Sequence, residues 1–502
     1  MKTEQEDIIM IFQKRTAVAF LLLSLLAVGC SGEDTKTDIE TTNTGTESAV
    51  DTETVVTENA LPDNLPDMDF GGATYTMYLR RDKNYTPDDF MAEEGSGDIV
   101  EDAVYRRNLT ISERFNVQFA YNLDETGMTT SNTPGIIALR AGEHANDILA
   151  LHGAHCFEYA KEGLLLDWFE MMSYNDLTQP WWDQDFRINT AIGGRLFSMT
   201  GSLSHFSIGG TFCMFFNKDI LNRFDIDYPY QDVLDGTWTF DKYYSMSRAV
   251  VQDLNGNSVI EPEYDQYGLY TDAWRYPIAA FYMAGDKIIT LDGDGVPTIT
   301  VYSEQTEKIM ESLLSYYKEP GVYITGKSGE YPENIFREGR ALFIGTYTKD
   351  LAKYRDMDAE IGVIPYPKFD ESTDRYYSLV DAGENVFAVP ITATTANLDM
   401  ISIVTEALAY EGYYSVLPTF YETALKTKYA RDNESEEMLS IIASTRYFDY
   451  GYYDTGCTKG LAYIGLTMVD QSKNFASYYE SNRTPSEKML KKALEAYLEV
   501  DN

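Results

Sequence analysis

Between Gly194 and Leu221 the chain reads GRLFSMTGSLSHFSIGGTFCMFFNKDIL, and this stretch constrains the fold more than any other. Two apolar, β-leaning runs, 195–199 and 211–216, flank a segment of small residues. Neither run alternates cleanly between apolar and polar, so each predicts a strand covered on both faces. Asn217 then precedes Lys218-Asp219, where an Asx side chain can cap a following helix. A small-residue passage between two buried strands, near the middle of a 502-residue chain, predicts a crossing between two lobes beside a ligand cleft. Thr200-Gly201 is the expected crossing, Gly345 its expected partner across the cleft, and 202–210 the adjoining rim.

The first residues bear on the compartment. Lys14-Arg15 precede an apolar run from 17 to 28 that only Ser24 interrupts. About a dozen apolar residues suit a secretory h-region and fall short of a spanning helix. The run ends in Ala27-Val28-Gly29-Cys30 and turns polar at once, which resembles a bacterial lipobox, with Ala27 where leucine is usual. That resemblance implies a lipoprotein signal peptide over 1–29, lipidation of Cys30, and residence on the outer face of the cytoplasmic membrane. Glu4, Glu6 and Asp7 are odd ahead of a basic n-region, so Met10 is an alternative start. Residues 30–64 are rich in Thr, Glu and Asp with few large apolar side chains and predict a disordered acidic tether. A net charge of −40 disfavours nucleic acid and leaves the lipid anchor as the expected contact with the membrane. Cys156, Cys213 and Cys457 form no C-x-x-C, so neither a zinc ribbon nor a redox motif is indicated, and Cys156 and Cys213 read as buried thiols.

From Leu65 onward, a strand over 73–79, a helix over 99–115, a strand over 117–121, a helix over 135–141 and a strand over 147–151 predict βαβ units and a parallel sheet. Ligands of such sheets gather beyond the carboxyl ends of the strands, here 80–82 and 152–155. Further on, 287–301 predicts a β-hairpin, Ser303 caps a helix, 341–347 is an apolar strand, and short strands at 361–367 and 385–390 end in prolines. Trp238 opens a helix and reads as core; the chain after 396 is mainly helical, with aromatic clusters at 410–414 and 447–453.

The order NDILALHG, EGLLLDW, GGRLFSMTG, FFNKDIL, GTWTFDKYYSMSRAV, DQYGLY, IFREGRALFIGTY and IGVIPYPK resembles family 1 extracellular solute-binding proteins, the receptors of carbohydrate ABC importers. Trp181-Trp182-Asp183 and Lys428-Tyr429-Ala430-Arg431-Asp432 resemble a Firmicutes-type lipoprotein branch of that family. The resemblance implies a two-lobed, type II periplasmic-binding-protein-like α/β fold with hinge crossings. Mapped onto this chain, lobe one is 65–200 plus 346–386 and lobe two is 201–345 plus 387–502. It also implies a monomer that captures a saccharide by lobe closure, hands it to ABC permease subunits, and needs neither cofactor nor covalent chemistry. The rivals are a receptor for a non-sugar solute or for a sensor kinase, and a surface polysaccharide hydrolase.

Sugar recognition asks for aromatic faces against C–H surfaces and planar polar groups against hydroxyls. At positions matching the family's cleft stand Arg81, Asp82, His152, His155, Ser202, Ser204, His205, Trp274, Tyr276, Tyr347, Asp381, Glu384 and Asn385. With 39 Tyr in the chain, core packing competes for each aromatic, and the pair Trp181-Trp182 reads first as a docking corner. His144, His152, His155 and Cys156 can be read as metal ligands, although hydrogen bonding of His152 and His155 to a polar ligand fits better. Asp253, Asn255, Asn257 and Asp265 resemble a structural calcium loop whose glycine is misplaced. Asp381 with Glu384 is the one pair that resembles glycosidase carboxylates, in a chain where 80 acidic residues make such pairs common.

Overall fold

The computed structural model describes residues 60–82, 87–325, 333–354, 356–421, 433–470 and 473–500; the expected signal peptide with Cys30, nearly all of the expected tether, and the motif at 428–432 lie outside them. β1 (Ala73–Arg80) pairs in parallel with β2 (Val117–Asp124) along its length and with β3 (Ile148–His152). The helix Ile99–Phe115 makes the first crossover. Asp98 caps it by accepting the N–H groups of Val100 and Glu101, and Asn116 ends it in the left-handed region at φ 50°. Its Val104, Ile111 and Phe115 are buried, as their spacing predicts.

The run 195–199 does not become a strand. The Leu196 N–H goes to the Asp167 carboxylate at 3.1 Å and its carbonyl accepts from Trp168 N at 2.7 Å, so a loop satisfies groups that a ladder would otherwise take. The second run does. β4 (Phe212–Asn217) is wholly buried, and the Asn217 side chain accepts the Ile220 N–H at 3.0 Å to start the next helix. β5 (Tyr267–Asp272) follows, then β6 (Ile289–Leu291) and β7 (Pro297–Ile299), the expected hairpin, and β8 (Val322–Thr325). β9 (Ala341–Tyr347) and β10 (Ile361–Ile364) complete a mixed sheet ordered β10-β4-β9-β5-β8. β11 (Ser378–Leu379) pairs with the late β13 (Arg446–Tyr447), while β12 (Asn385–Ala388) closes the first sheet as β12-β3-β1-β2, antiparallel to β3.

Three expectations change here. The lobe boundaries read from the sequence put β10 in the first lobe, and it instead pairs with β4 in the second sheet. The same boundaries put the helix Thr395–Glu411 in the second lobe, and it packs on β1 and on the helix Ile99–Phe115. Gly345 is not a crossing: it lies inside β9 opposite Met214, where a Cβ would run into Tyr366 and Tyr276. The glycine serves close packing, and the return crossing falls at 380–384 because β9 runs unbroken through it.

Other residues sit as read. Trp238 is buried and donates to the Pro365 carbonyl at 3.1 Å. Cys156, Cys213 and Cys457 are buried free thiols. Trp181 and Trp182 form a docking corner in which both indole N–H groups donate to the Glu406 carboxylate, at 2.7 and 2.9 Å. The helix Phe475–Glu499 joins both layers: Tyr497 donates to the Phe157 carbonyl at 3.2 Å, and Tyr479 stacks on Tyr302 at 4.7 Å.

Candidate ligand cleft

Two stretches of chain pass side by side between the sheets. At one end Met199 and Phe387 exchange N–H···O bonds of 2.9 and 2.8 Å. At the other, Thr211 bridges Val380 and the Asp381 N–H donates to the Gly210 carbonyl at 3.1 Å. Gly210 is where they touch most closely, since a Cβ there would fall within the Glu384 side chain.

Around this pair the carboxyl ends of β1, β3 and β9 converge. Side-chain alternation along β1 sends Arg80 inward and leaves Arg81 exposed, paired with Glu125. Arg80, not Arg81, therefore reaches the crossing, with Nε to the Gly127 carbonyl at 2.5 Å and Nη1 to the Gly383 carbonyl at 2.6 Å and Asn385 Oδ1 at 3.0 Å. Asp82 is half-buried beside Gly127. His152 is the register partner of Asn385 and caps the helix Gly153–Lys161 through Nδ1. Burial, then Arg80 and His155, hold its imidazole well below the ordinary value, so it is neutral. His155 stacks on it at 4.7 Å and meets the Met128 carbonyl at 2.7 Å. His144 lies instead against Asp147, at 3.2 Å.

From the second sheet, Tyr347 donates to Asp381 Oδ2 at 2.5 Å, with Arg275 and Lys349 about its ring at 5.5 and 5.4 Å. Lys349 pairs with the buried Glu384 at 2.5 Å. Burial raises the Glu384 carboxyl and Lys349 opposes that rise. Asp381 and Glu384 thus have separate partners, unlike two carboxylates left open to a scissile bond. Trp274 is 40% exposed, with its ring edge-to-face on Tyr463 at 5.4 Å, and Tyr463 meets Tyr452 at 6.0 Å. Tyr453 donates to the Asp381 carbonyl at 3.2 Å.

Several expected ligand contacts belong elsewhere. Tyr276 is fully buried, stacked on Tyr243 at 5.8 Å; its place at the start of a helix turns it into the second-lobe core. Ser202, Ser204 and His205 are buried: the Ser202 N–H donates to the Trp181 carbonyl at 2.8 Å, while Ser204 and His205 lie in a corner organised by Asp89. His205 Nδ1 lies 2.7 Å from that carboxylate, and Arg107 donates to the Asp89 carbonyl at 2.6 Å and to the Leu203 carbonyl at 3.0 Å. These groups fix the crossing to the first lobe. In the loop that resembles a calcium site, Asp253 accepts the N–H groups of Gly256 and Ser258, both at 2.6 Å. Asn255 and Asn257 donate to Glu261 at 2.8 and 2.7 Å, and Asp265 accepts from Leu254 and Glu261, both at 2.8 Å. These bonds hold the loop's own backbone N–H groups and side chains together. Among the described residues no three His, Cys, Asp or Glu side chains gather to hold a metal.

The sequence points to the strand end at 80–82 without singling out Arg80, and it does not point to Lys349, Arg275, Tyr452 or Tyr463. The aromatic cluster at 447–453 is the available signal for Tyr452, while strand parity alone cannot choose between Arg80 and Arg81.

Two mixed sheets joined by paired crossings make an α/β, two-lobed, type II binding-protein fold. No family model and no curated protein matches the chain. Solved structures do. A cyclo/maltodextrin-binding protein complexed with maltotetraose is 13% identical, over 88% of this chain and 98% of its own, with a TM-score of 0.52. The GacH receptor of Streptomyces glaucescens, solved unliganded and with acarbose, is 11% identical over 86% of this chain and 98% of its own, with a TM-score of 0.51. A sugar transporter from Rhizobium etli in an open conformation is 14% identical over 86% of this chain and all of its own, with a TM-score of 0.50. At these identities the likeness is one of fold.

Proposed function

We propose that this chain is an extracytoplasmic solute receptor that captures a saccharide between two lobes and delivers it to an ABC import permease. Each lobe is built on one sheet, and the paired crossings at 199–211 and 380–387 are the hinge about which they close. Cys30 carries the lipid anchor and 30–64 the tether. The observation that carries the reading is the convergence of Tyr347, Asp381, Asn385 and His152 on those crossings, with the exposed Trp274 ring linked toward them through Tyr463 and Tyr452. Fold neighbours were solved with maltotetraose and with acarbose, which supports an oligosaccharide. The mechanism is reversible binding, with no covalent step. Among the described residues no helix is long and apolar enough to cross a membrane.

The test is a thermal-shift screen of the purified protein over maltodextrins, monosaccharides, alditols and short peptides. A saccharide that raises the melting temperature of the wild type and not of Trp274→Ala is the expected result. A response to peptides alone would replace the sugar assignment, and release of reducing sugar from glycans would replace the receptor by a hydrolase.

A further inference from the structure

A cavity of about 350 Å³, sharing no lining residue with the crossings, opens where the β6–β7 hairpin meets the helix Gln184–Thr190 and β13. Its volume falls within the range of small-molecule sites, roughly 300–1,000 Å³. The wall is mostly polar: Asn189, Asp286, Lys287, Thr290, Thr300 and Tyr447 face it.

Most of these groups are already engaged. Lys287 donates to Asn189 Oδ1 and lies 4.6 Å over the Tyr447 ring. Its opposing charges are Asp185 and Asp449. Tyr447 donates to the Gly285 carbonyl, and Thr300 Oγ1 to the Lys287 carbonyl at 3.1 Å. Asp286 is the exception. Its Oδ2 is buried and has no hydrogen-bond partner among the described residues, and burial alone pushes the carboxyl up to about 6, with no cation to oppose it. A desolvated carboxylate of this kind costs stability unless something donates to it. An ammonium group supplies both the donors and the missing charge, and the threonine hydroxyls have room for a hydroxylated ligand.

We propose that this cavity is a second binding site, for a small hydroxylated primary amine of the amino-sugar class, with its ammonium on Asp286 and its hydroxyls on Thr290 and Thr300. The site stands apart from whatever the crossings bind, and either assignment can fail without the other.

The full chain is titrated calorimetrically with D-glucosamine and with D-glucose, which lacks the ammonium, in the wild type and in Trp274→Ala. Glucosamine should bind at least about tenfold more tightly than glucose in both, since a charged pair replaces a neutral contact. Asp286→Asn, isosteric and free of the buried charge, should bring glucosamine down to the glucose level while the melting temperature holds. Thr290→Trp, at an exposed position on the rim, should remove binding by filling the mouth. Equal affinity for the two sugars, glucosamine binding that survives Asp286→Asn, or no glucosamine heat at millimolar concentration in the wild type would each overturn the proposal.

Discussion

Tyr347 donates its phenolic proton to Asp381 across 2.5 Å, tying the end of β9 to the loop that returns the chain to the first sheet. Burial, then the Asp381 charge, lift the phenol well above its ordinary value, so it remains a donor throughout the physiological range. Tyr347→Phe removes that donor and leaves the ring. A hydrogen bond to a charged acceptor contributes about 1.5–3 kcal/mol, and a loss near the lower end is expected because Asp381 keeps the Gly383 N–H. Urea unfolding of the two proteins measures it.

Trp274 and Tyr276 stand two residues apart and should behave oppositely. Tyr276→Ala empties a fully buried site among Tyr243, Tyr316 and Tyr366 and should cost about 3–5 kcal/mol. Trp274→Ala removes a ring that is 40% exposed and should leave the unliganded melting temperature nearly unchanged while abolishing stabilisation by any saccharide that binds as proposed. Equal early melting of both variants would place Trp274 in the core.

Glu406 links stability to pH. Burial pushes its carboxyl up to about 7, with the indoles of Trp182 and Trp181 and the Asn175 amide opposing that rise. The unfolded chain loses this proton near the ordinary value of 4.5, whereas the folded chain keeps it until about 7. Stability from this group is therefore full below about pH 4.5, falls as pH rises to about 7, and is flat beyond, a change on the order of 3 kcal/mol. The same titration should shift tryptophan emission with a midpoint near 7. Glu406→Gln should abolish both the emission step and this share of the pH dependence.

Gly210→Ala places a methyl group in the volume of the Glu384 side chain, which Lys349 holds in position. Overpacking at such a contact costs on the order of 1–3 kcal/mol. Truncating the obstacle in Gly210→Ala/Glu384→Ala should recover part of the loss, so the two changes combine non-additively in a double-mutant cycle read by chemical unfolding.

The parts of this protein that are legible in its sequence are those governed by local period. The alternation in β1, the Asp98-capped helix and the βαβ order of the first layer all follow from spacing within a few dozen residues. Asn217 as a cap and 287–301 as a hairpin are equally local. What escapes is set by pairing between distant segments. Adjacent arginines at 80 and 81 must face opposite ways, yet only the parallel register of β1 with β2 and β3 decides which one reaches the crossing. Nothing local marks 380–384 as a passage between sheets, because that role comes from Val380 meeting Thr211 and Phe387 meeting Met199. His205 has the composition of a ligand contact, and Asp89, far away in the chain, makes it a structural anchor.

β3 has one further consequence, for how the molecule comes into being. Its outer edge stays unpaired until β12 is synthesised, and all five strands of the second sheet lie between those two segments in the chain. An emerging polypeptide must build most of one sheet before it can finish the other, which gives the first layer high contact order and a slow, late closure. Meanwhile the bare edge of β3 is open to pairing with another chain. Fragments ending anywhere between 153 and 384 should aggregate rather than fold, so this chain is divisible into lobes by geometry but not by truncation.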